Sequence, residues 1–181
     1  MKSLITAGAL LLCSTLAHAQ SANWTFSYTG FYDREAAVFL PDTTLSGSFS
    51  GVDANGAGAL ERDELTAFTI GTTDYVACAA GSNATYHRGA DSFRFSPDGG
   101  LSFSVGEYGG DPEGRVGSGH LVTTGDALVD YRFNPGASSE HHLDWTAATR
   151  LDMLPAVPEP APYAMLAAGL AGIGLLRRWR A

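Results

Sequence analysis

A regular alternation of apolar and polar residues along the middle of this chain constrains its fold more than any other feature. The segment 23–28 places Trp, Phe and Tyr at every second position, and the segments 45–50 and 93–105 repeat the pattern. A period of two puts such side chains on one face of an extended strand. Residues 96–100, Ser-Pro-Asp-Gly-Gly, interrupt the third segment with the composition of a hairpin turn. The pattern therefore predicts β-strands, with a hairpin near residue 98.

Further strands are predicted at 120–124, 128–133 and 143–151, because Gly- and Pro-containing turns separate these apolar segments. The glycine-rich stretch 106–119 is predicted to be a long loop. Short strands joined by turns favour an all-β fold, a single sandwich or a jelly-roll-like domain. Residues 61–68 are predicted to form its one short helix.

The first 19 residues have the composition of a signal peptide. A single lysine, Lys2, precedes an apolar run, and Ala17 and Ala19 are the small residues expected before a cleavage site at Gln20. Signal peptidase is thus an expected partner. A lipoprotein signal fits poorly because Leu12, rather than a small residue, precedes Cys13.

The other end of the chain combines prolines, an apolar run and arginines. The uncharged residues 161–176 would span ~24 Å as a helix at 1.5 Å per residue, somewhat less than the ~30 Å hydrocarbon core of a bilayer. Arg177, Arg178 and Arg180 follow and are expected to stay on the cytoplasmic side. The sequence thus predicts three parts: a signal peptide at 1–19, an extracytoplasmic β-rich domain at 20–154, and a C-terminal segment at 155–181 with a transmembrane helix and a basic tail at 177–181.

This C-terminal segment resembles the PEP-CTERM sorting signal. The resemblance lies in the order of three parts: the stretch Val157, Pro158, Glu159 and Pro160, then the apolar run, then the arginine cluster. It implies processing by an exosortase, a membrane protease of Gram-negative bacteria that make exopolysaccharide. The implied route is export through the inner membrane, transient retention by the C-terminal helix, and arrival at the cell surface or outside the cell. A plain single-pass membrane anchor on a proline-rich stalk is the alternative.

The middle of the chain is acidic and contains no lysine, and the whole chain has a formal net charge of −8. Such a domain repels phosphate backbones, so nucleic acid is not an expected partner. Cys78 is the one cysteine of the segment 20–154, which excludes an internal disulfide there. It is expected either to be buried as a small apolar residue or to form an intermolecular bridge.

Residues 53–64 resemble a twelve-residue EF-hand calcium loop. Asp53, Asn55, Glu61 and Glu64 supply side-chain oxygens at positions one, three, nine and twelve, and Ala59 supplies its carbonyl at position seven. The resemblance implies calcium as a candidate cofactor, with weak affinity because the residue at position five, an alanine, lacks a side-chain oxygen. A metal-free acidic turn remains the alternative.

Catalytic motifs are not predicted. His141 and His142 lie side by side, so on a strand their side chains face opposite ways and one at most can join a site. The carboxylates of Asp111 and Glu113 lie in the glycine-rich stretch, where the sequence does not reveal their separation. The leading hypothesis is a non-enzymatic structural or adhesive protein associated with exopolysaccharide. A carbohydrate-binding module, with Tyr86, Tyr108 or Trp145 on one exposed face, and a secreted hydrolase are the alternatives.

Overall fold

The computed structural model describes residues 22–155, which form eleven antiparallel strands and two short 3-10 turns. The strands are β1 (Ala22–Asp33), β2 (Val38–Gly51), β3 (Leu60–Glu61), β4 (Leu65–Ile70), β5 (Thr73–Asp74), β6 (Tyr86–Ser96), β7 (Gly100–Gly110), β8 (Gly117–Thr123), β9 (Ala127–Asn134), β10 (Ala137–Asp144) and β11 (Arg150–Pro155). The 3-10 turns cover Arg62–Glu64 and Ala77–Gly81. The all-β prediction is confirmed.

All eleven strands belong to one continuous sheet in the order β3-β6-β7-β8-β9-β10-β1-β2-β4-β5, and β11 pairs with β1. The sheet folds over on itself, so the halves on either side of the β10–β1 contact face one another like the layers of a sandwich. Along β1 the partner on one side changes from β11, at residues 24–29, to β10, at residues 32–33, and an irregularity lies between Thr29 and Phe31. Gly30 lies there with φ +90°, a backbone conformation that residues with side chains rarely adopt.

Aromatic side chains from both halves fill the space between the layers. Phe26 and Phe68 of one half pack against Phe103 of the other, with ring centroids 5.6 and 5.0 Å apart. Phe49 lies 5.1 Å from Phe93 across the same interface. The alternation that predicted the strands therefore also identifies the core, because every second residue of each strand faces the opposite layer.

Three local predictions are wrong. A 3-10 turn and β4 replace the short helix predicted at 61–68, because Leu65, Phe68 and Ile70 bury their side chains in the sheet. The predicted loop 106–119 is mostly strand, and only residues 111–116 connect β7 to β8. The predicted strand 143–151 is interrupted at residues 145–149, where the Thr149 N–H donates to the Thr146 carbonyl.

The segments with export features lie outside the described residues. These are the signal peptide with Ala17, Ala19 and Gln20, the stretch 157–160, the apolar run 161–176 and the terminal arginines. Among residues 22–155 no helix is long and apolar enough to cross a bilayer. Cys78 is half-buried beside the core and free, and burial raises the pKa of its thiol.

Candidate functional site

Strands β7 to β10 extend past the aromatic core, and both faces of this extension are accessible. Because side chains alternate along a strand, Val105 and Glu107 share the inner face, which continues from the core. Tyr108 lies on the outer face. The register aligns residues of neighbouring strands into rows across each face, so each face has its own side-chain chemistry.

The outer face carries a group of rings that we call the aromatic face: His87, Tyr108, Tyr131 and Phe133. The rings of Tyr131 and Phe133 are 9° from parallel with centroids 6.3 Å apart, and Phe133 is 36% exposed. The rings of His87 and Tyr108 lie 4.7 Å apart on the neighbouring strands. The group forms a patch on the surface of the sheet in which Phe133 is exposed and the other three rings are half-buried.

Glycines on β8 make room for these rings. Gly119 pairs with both Tyr108 and Tyr131, and a Cβ atom at Gly119 would collide with the Tyr131 ring. Gly117 pairs with Phe133, whose ring occupies the space above it in the same way. These glycines therefore belong to a strand because aromatic side chains of the next strand cover them. This explains why composition alone wrongly predicted a loop.

The aromatic residues named from the sequence do not share a face. Tyr108 belongs to the aromatic face, but Tyr86 pairs with Gly109 and faces inward. Trp145 packs against Tyr28 and Phe31 at the margin of the core, with centroid distances of 5.5 and 4.7 Å. The sequence pattern did not identify Tyr131 and Phe133 as residues of an exposed aromatic face. The signal that identifies them is the pairing of alternate aromatics on one strand with alternate glycines on the next.

The inner face of the same strands lines a recess of about 420 Å³, which we call the polar cleft. Glu107, His120, Asp130 and His141 form one cross-strand row on its floor. His120 Nδ1 lies 2.7 Å from an Asp130 carboxylate oxygen. Arg132 lies in the next row, between Ser118 and Ser139. Acidic groups, imidazoles and an arginine thus converge on one concave surface.

An ion pair closes one end of the row. Arg88 Nε donates to Glu107 Oε1 at 2.9 Å, and this hydrogen bond raises the pKa of the Arg88 guanidinium. The guanidinium also lies over the ring of Tyr86, 5.5 Å from its centroid. The pair therefore fixes the position of the Glu107 carboxylate.

The adjacent histidines face opposite ways, as the sequence predicts for a strand. His141 points into the polar cleft, where its Nε2 lies 3.3 Å from Asp33 Oδ2 and 3.8 Å from Glu35 Oε2. His142 Nε2 instead lies 2.7 Å from Glu140, two residues away on the same strand. The contacts of His141 to Asp33 and Glu35 follow from the fold, because more than 100 residues separate the partners in the sequence.

The EF-hand-like loop is held by hydrogen bonds between its carboxylates and the backbone. Asp53 accepts the N–H groups of Ala57 and Gly58, while Glu64 accepts those of Ala54, Asn55 and Glu61. Gly56 and Gly58 take positive φ angles of 70° and 74°. Glu61 pairs with Arg94 of β6. Both the calcium loop and the metal-free turn stay predictions, since these bonds suit either.

The carboxylates at 111 and 113 have different surroundings. Asp111 accepts the N–H groups of Arg115 at 2.6 Å and Val116 at 2.7 Å, and the bond from Val116 contributes most to lowering its pKa. Glu113 lies on the exposed side of the same turn, 3.9 Å from Arg115. Asp111 thus closes the β7–β8 turn.

The end of the domain that leads into the C-terminal segment lies far from both faces. Pro155, the last residue of β11, pairs with Trp24, whose ring packs 4.9 Å from Phe95. Phe95 pairs with Leu101 near the start of β7, whereas Tyr108 lies near its end. Seven residues of strand separate these rows, or ~23 Å at about 3.3 Å per residue.

Comparison with known proteins assigns the C-terminal segment. No curated protein and no solved structure matches the chain. Residues 156–180 match the family model described as the PEP-CTERM protein-sorting motif. The match covers the tail and does not extend into the β-domain. The resemblance of the tail is thereby confirmed: the chain carries a PEP-CTERM sorting motif, which marks an exported protein that an exosortase sorts to the cell surface.

Proposed function

We propose that this protein is a non-enzymatic adhesive component of the extracellular matrix that binds exopolysaccharide through its aromatic face. The sorting motif supports delivery to the surface. The β-domain would supply the binding activity, which combines the structural role and the carbohydrate-binding role considered from the sequence.

The aromatic face is the observation that carries this proposal. A pyranose ring presents a face of C–H groups that packs onto an aromatic ring, and exposed rings side by side present such a surface to successive sugars of a chain. Tyr131 and Phe133 are nearly parallel and rest on glycines, which fixes their height above the sheet. Contiguous exposed apolar groups on a soluble domain commonly mark a site of interaction.

The negative charge of the protein determines which class of polysaccharide it can bind. With a formal net charge of −8 and a lysine-free domain, it repels polyanions at long range. A neutral polysaccharide is not repelled in this way, because it carries no charge. We therefore propose a neutral glycan as the ligand of the aromatic face, with neither nucleic acid nor anionic lipid as a partner.

The position of Pro155, the last residue that the structure describes, supports display of this face. The C-terminal segment leaves the domain at Pro155, beside Trp24, at the end remote from Tyr131 and Phe133. A membrane-attached precursor would therefore hold the aromatic face away from the bilayer. The EF-hand-like loop lies near the attached end, since Asp53 and Trp24 border the same shallow recess. Calcium bound there would stabilise the domain without occupying the glycan site.

Retention on polysaccharide tests the binding proposal. The full chain, purified in detergent, is incubated with an insoluble neutral polysaccharide and with exopolysaccharide from the producing cells. Tyr131→Ala and Phe133→Ala should each reduce retention, since stacking of an aromatic ring contributes about 1 kcal/mol or more, roughly a fivefold change in affinity. Phe39→Ala is the matched control, because Phe39 is 37% exposed and lies on β2, away from the aromatic face. Equal retention of all three variants would refute the assignment.

Fractionation tests the route. A tag placed after Gln20 is followed through the inner membrane, cell surface and medium, with and without Arg177, Arg178 and Arg180. Mass spectrometry of the surface form should show a chain that lacks the C-terminal arginines. If every C-terminus still carries residues 177–181, the chain is a plain membrane anchor and exosortase processing is refuted.

A further inference from the structure

We propose that Asp33, Glu35 and His141 form a zinc-binding site at the end of the polar cleft, independent of the glycan-binding role. In the part of the chain that the structure describes, these three side chains form a cluster. One donor atom from each lies within 4.8 Å of the other two. They come from the end of β1, the β1–β2 turn and β10, so the fold itself brings them together.

The distances within the group match the ligand separations of a tetrahedral ion. Zinc ligands at about 2.0–2.1 Å from the metal in a tetrahedron lie roughly 3.3–3.4 Å from one another. His141 Nε2 lies 3.3 Å from Asp33 Oδ2 and 3.8 Å from Glu35 Oε2. In three other histidine–carboxylate pairs of the described residues, those of His87, His120 and His142, the separation is 2.7 to 3.0 Å. His141 is therefore held between two carboxylates at a spacing that leaves room for a shared ion.

The backbone fixes both carboxylates independently of His141. Asp33 Oδ1 accepts the Ala36 N–H at 2.8 Å, which leaves Oδ2 directed toward the imidazole. Glu35 accepts the His142 N–H at 3.0 Å and 3.2 Å through its two oxygens. Ligands held by outer hydrogen bonds bind metals more tightly because less freedom is lost on coordination.

The donor set identifies the class of metal. One imidazole nitrogen with two carboxylates is a ligand set that zinc accepts, whereas calcium prefers oxygen donors alone. Three protein ligands leave the fourth position of a tetrahedron free, and His141 lines the polar cleft. The open position would therefore be filled by water or by a ligand group that enters the cleft. Asp130 lies directly opposite His141 on β9, where a carboxylate suits the outer shell of a zinc-bound histidine.

Zinc titration of the full chain tests this site. The chain, purified without a polyhistidine tag and stripped with chelator, is titrated with Zn²⁺ by calorimetry. We expect one ion per chain. His141→Gln should weaken binding by at least about 100-fold, since loss of an outer-shell partner alone costs 10- to 100-fold. His142→Gln is the matched control, because the His142 side chain faces the other side of the sheet. The zinc affinity of this variant should change less than about threefold.

A second variant and a cobalt spectrum distinguish loss of the zinc site from loss of folding. Asp33→Asn keeps the oxygen that caps Ala36 but loses the negative charge, so the fold should survive while zinc binding weakens. Cobalt in place of zinc should give the intense visible bands of a tetrahedral ion in the unmodified chain and not in Asp33→Asn. Absence of stoichiometric zinc binding, or equal losses in His141→Gln and His142→Gln, would overturn the proposal. Because the aromatic face lies on the opposite side of the sheet, failure of glycan binding would leave the zinc result unaffected.

Discussion

Replacement of Phe68 by alanine is the most direct perturbation of the two-layer core. Phe68 is fully buried on β4. Its ring lies within 5.0 to 6.2 Å of four others, those of Phe26, Tyr75, Phe93 and Phe103. Two of these rings belong to the opposite layer, so the side chain joins the halves of the folded sheet.

The expected loss follows from that environment. Truncation of a buried phenylalanine to alanine costs about 3–5 kcal/mol, and the cost is highest where the surroundings cannot collapse into the cavity. The rings around Phe68 are held by strands of both layers, which favours the upper part of this range. For a domain of this length each kcal/mol lowers the melting temperature by about 3–4 °C, so a loss of about 4–5 kcal/mol should make Phe68→Ala melt roughly 12–20 °C lower.

Thermal and urea unfolding monitored by circular dichroism measure this effect. The control is Val116→Ala in the β7–β8 loop, where the side chain is 48% exposed, and it should change stability by less than about 0.5 kcal/mol. A double-mutant cycle with Phe103→Ala should give a coupling energy of about 0.5–1.5 kcal/mol, as expected for an aromatic pair in contact. A loss below 1 kcal/mol for Phe68→Ala, or no coupling, would refute the packing of the two layers.

Three further predictions concern other parts of the domain. Gly119→Ala should cost about 1–3 kcal/mol and weaken glycan retention, because the added methyl group collides with Tyr131; unchanged stability and binding would contradict the close approach. Burial raises the pKa of Tyr28, whose hydroxyl donates to the Leu101 carbonyl, to about 12. The stability it confers is complete below its unfolded pKa near 10 and falls as the pH rises toward 12, by up to about 3 kcal/mol. Urea titrations should show a smaller alkaline loss for Tyr28→Phe, and equal losses would exclude this contribution. Millimolar calcium should raise the melting temperature of the unmodified chain and not that of Glu64→Ala, while identical melts with calcium and chelator would leave the metal-free turn.

The alternation of apolar and polar residues predicted those strands whose conformation is set by residues close together in the chain. Residues 93–105 form the predicted hairpin because alternate aromatics bury one face and the Ser-Pro-Asp-Gly-Gly stretch reverses the chain. The order of prolines, apolar run and arginines likewise identified the sorting motif, since such a signal is read as a linear segment. These features depend on residues close together in the chain, so the sequence alone is sufficient to predict them.

Other features depend on partners that are distant in the sequence. Gly117 and Gly119 have the composition of a loop, yet they lie in β8 because rings from β9 cover them. Residues 61–68 contain helix-compatible residues, but burial of Phe68 between the layers outweighs this preference. The local signal is the same in either conformation, and packing decides between them.

What the sequence determined by itself is the all-β class, the hairpin at 96–100 and the sorting motif, because each is set by composition and spacing over a few residues. Tertiary structure alone decided which side chains meet. His141 is brought to Asp33 and Glu35 by the pairing of β10 with β1, and Tyr131 and Phe133 are brought beside Tyr108 by the register of three strands. A shift of one residue in that register would turn these side chains to the opposite face, and the register is fixed by the burial of apolar faces between the two layers and by the turns.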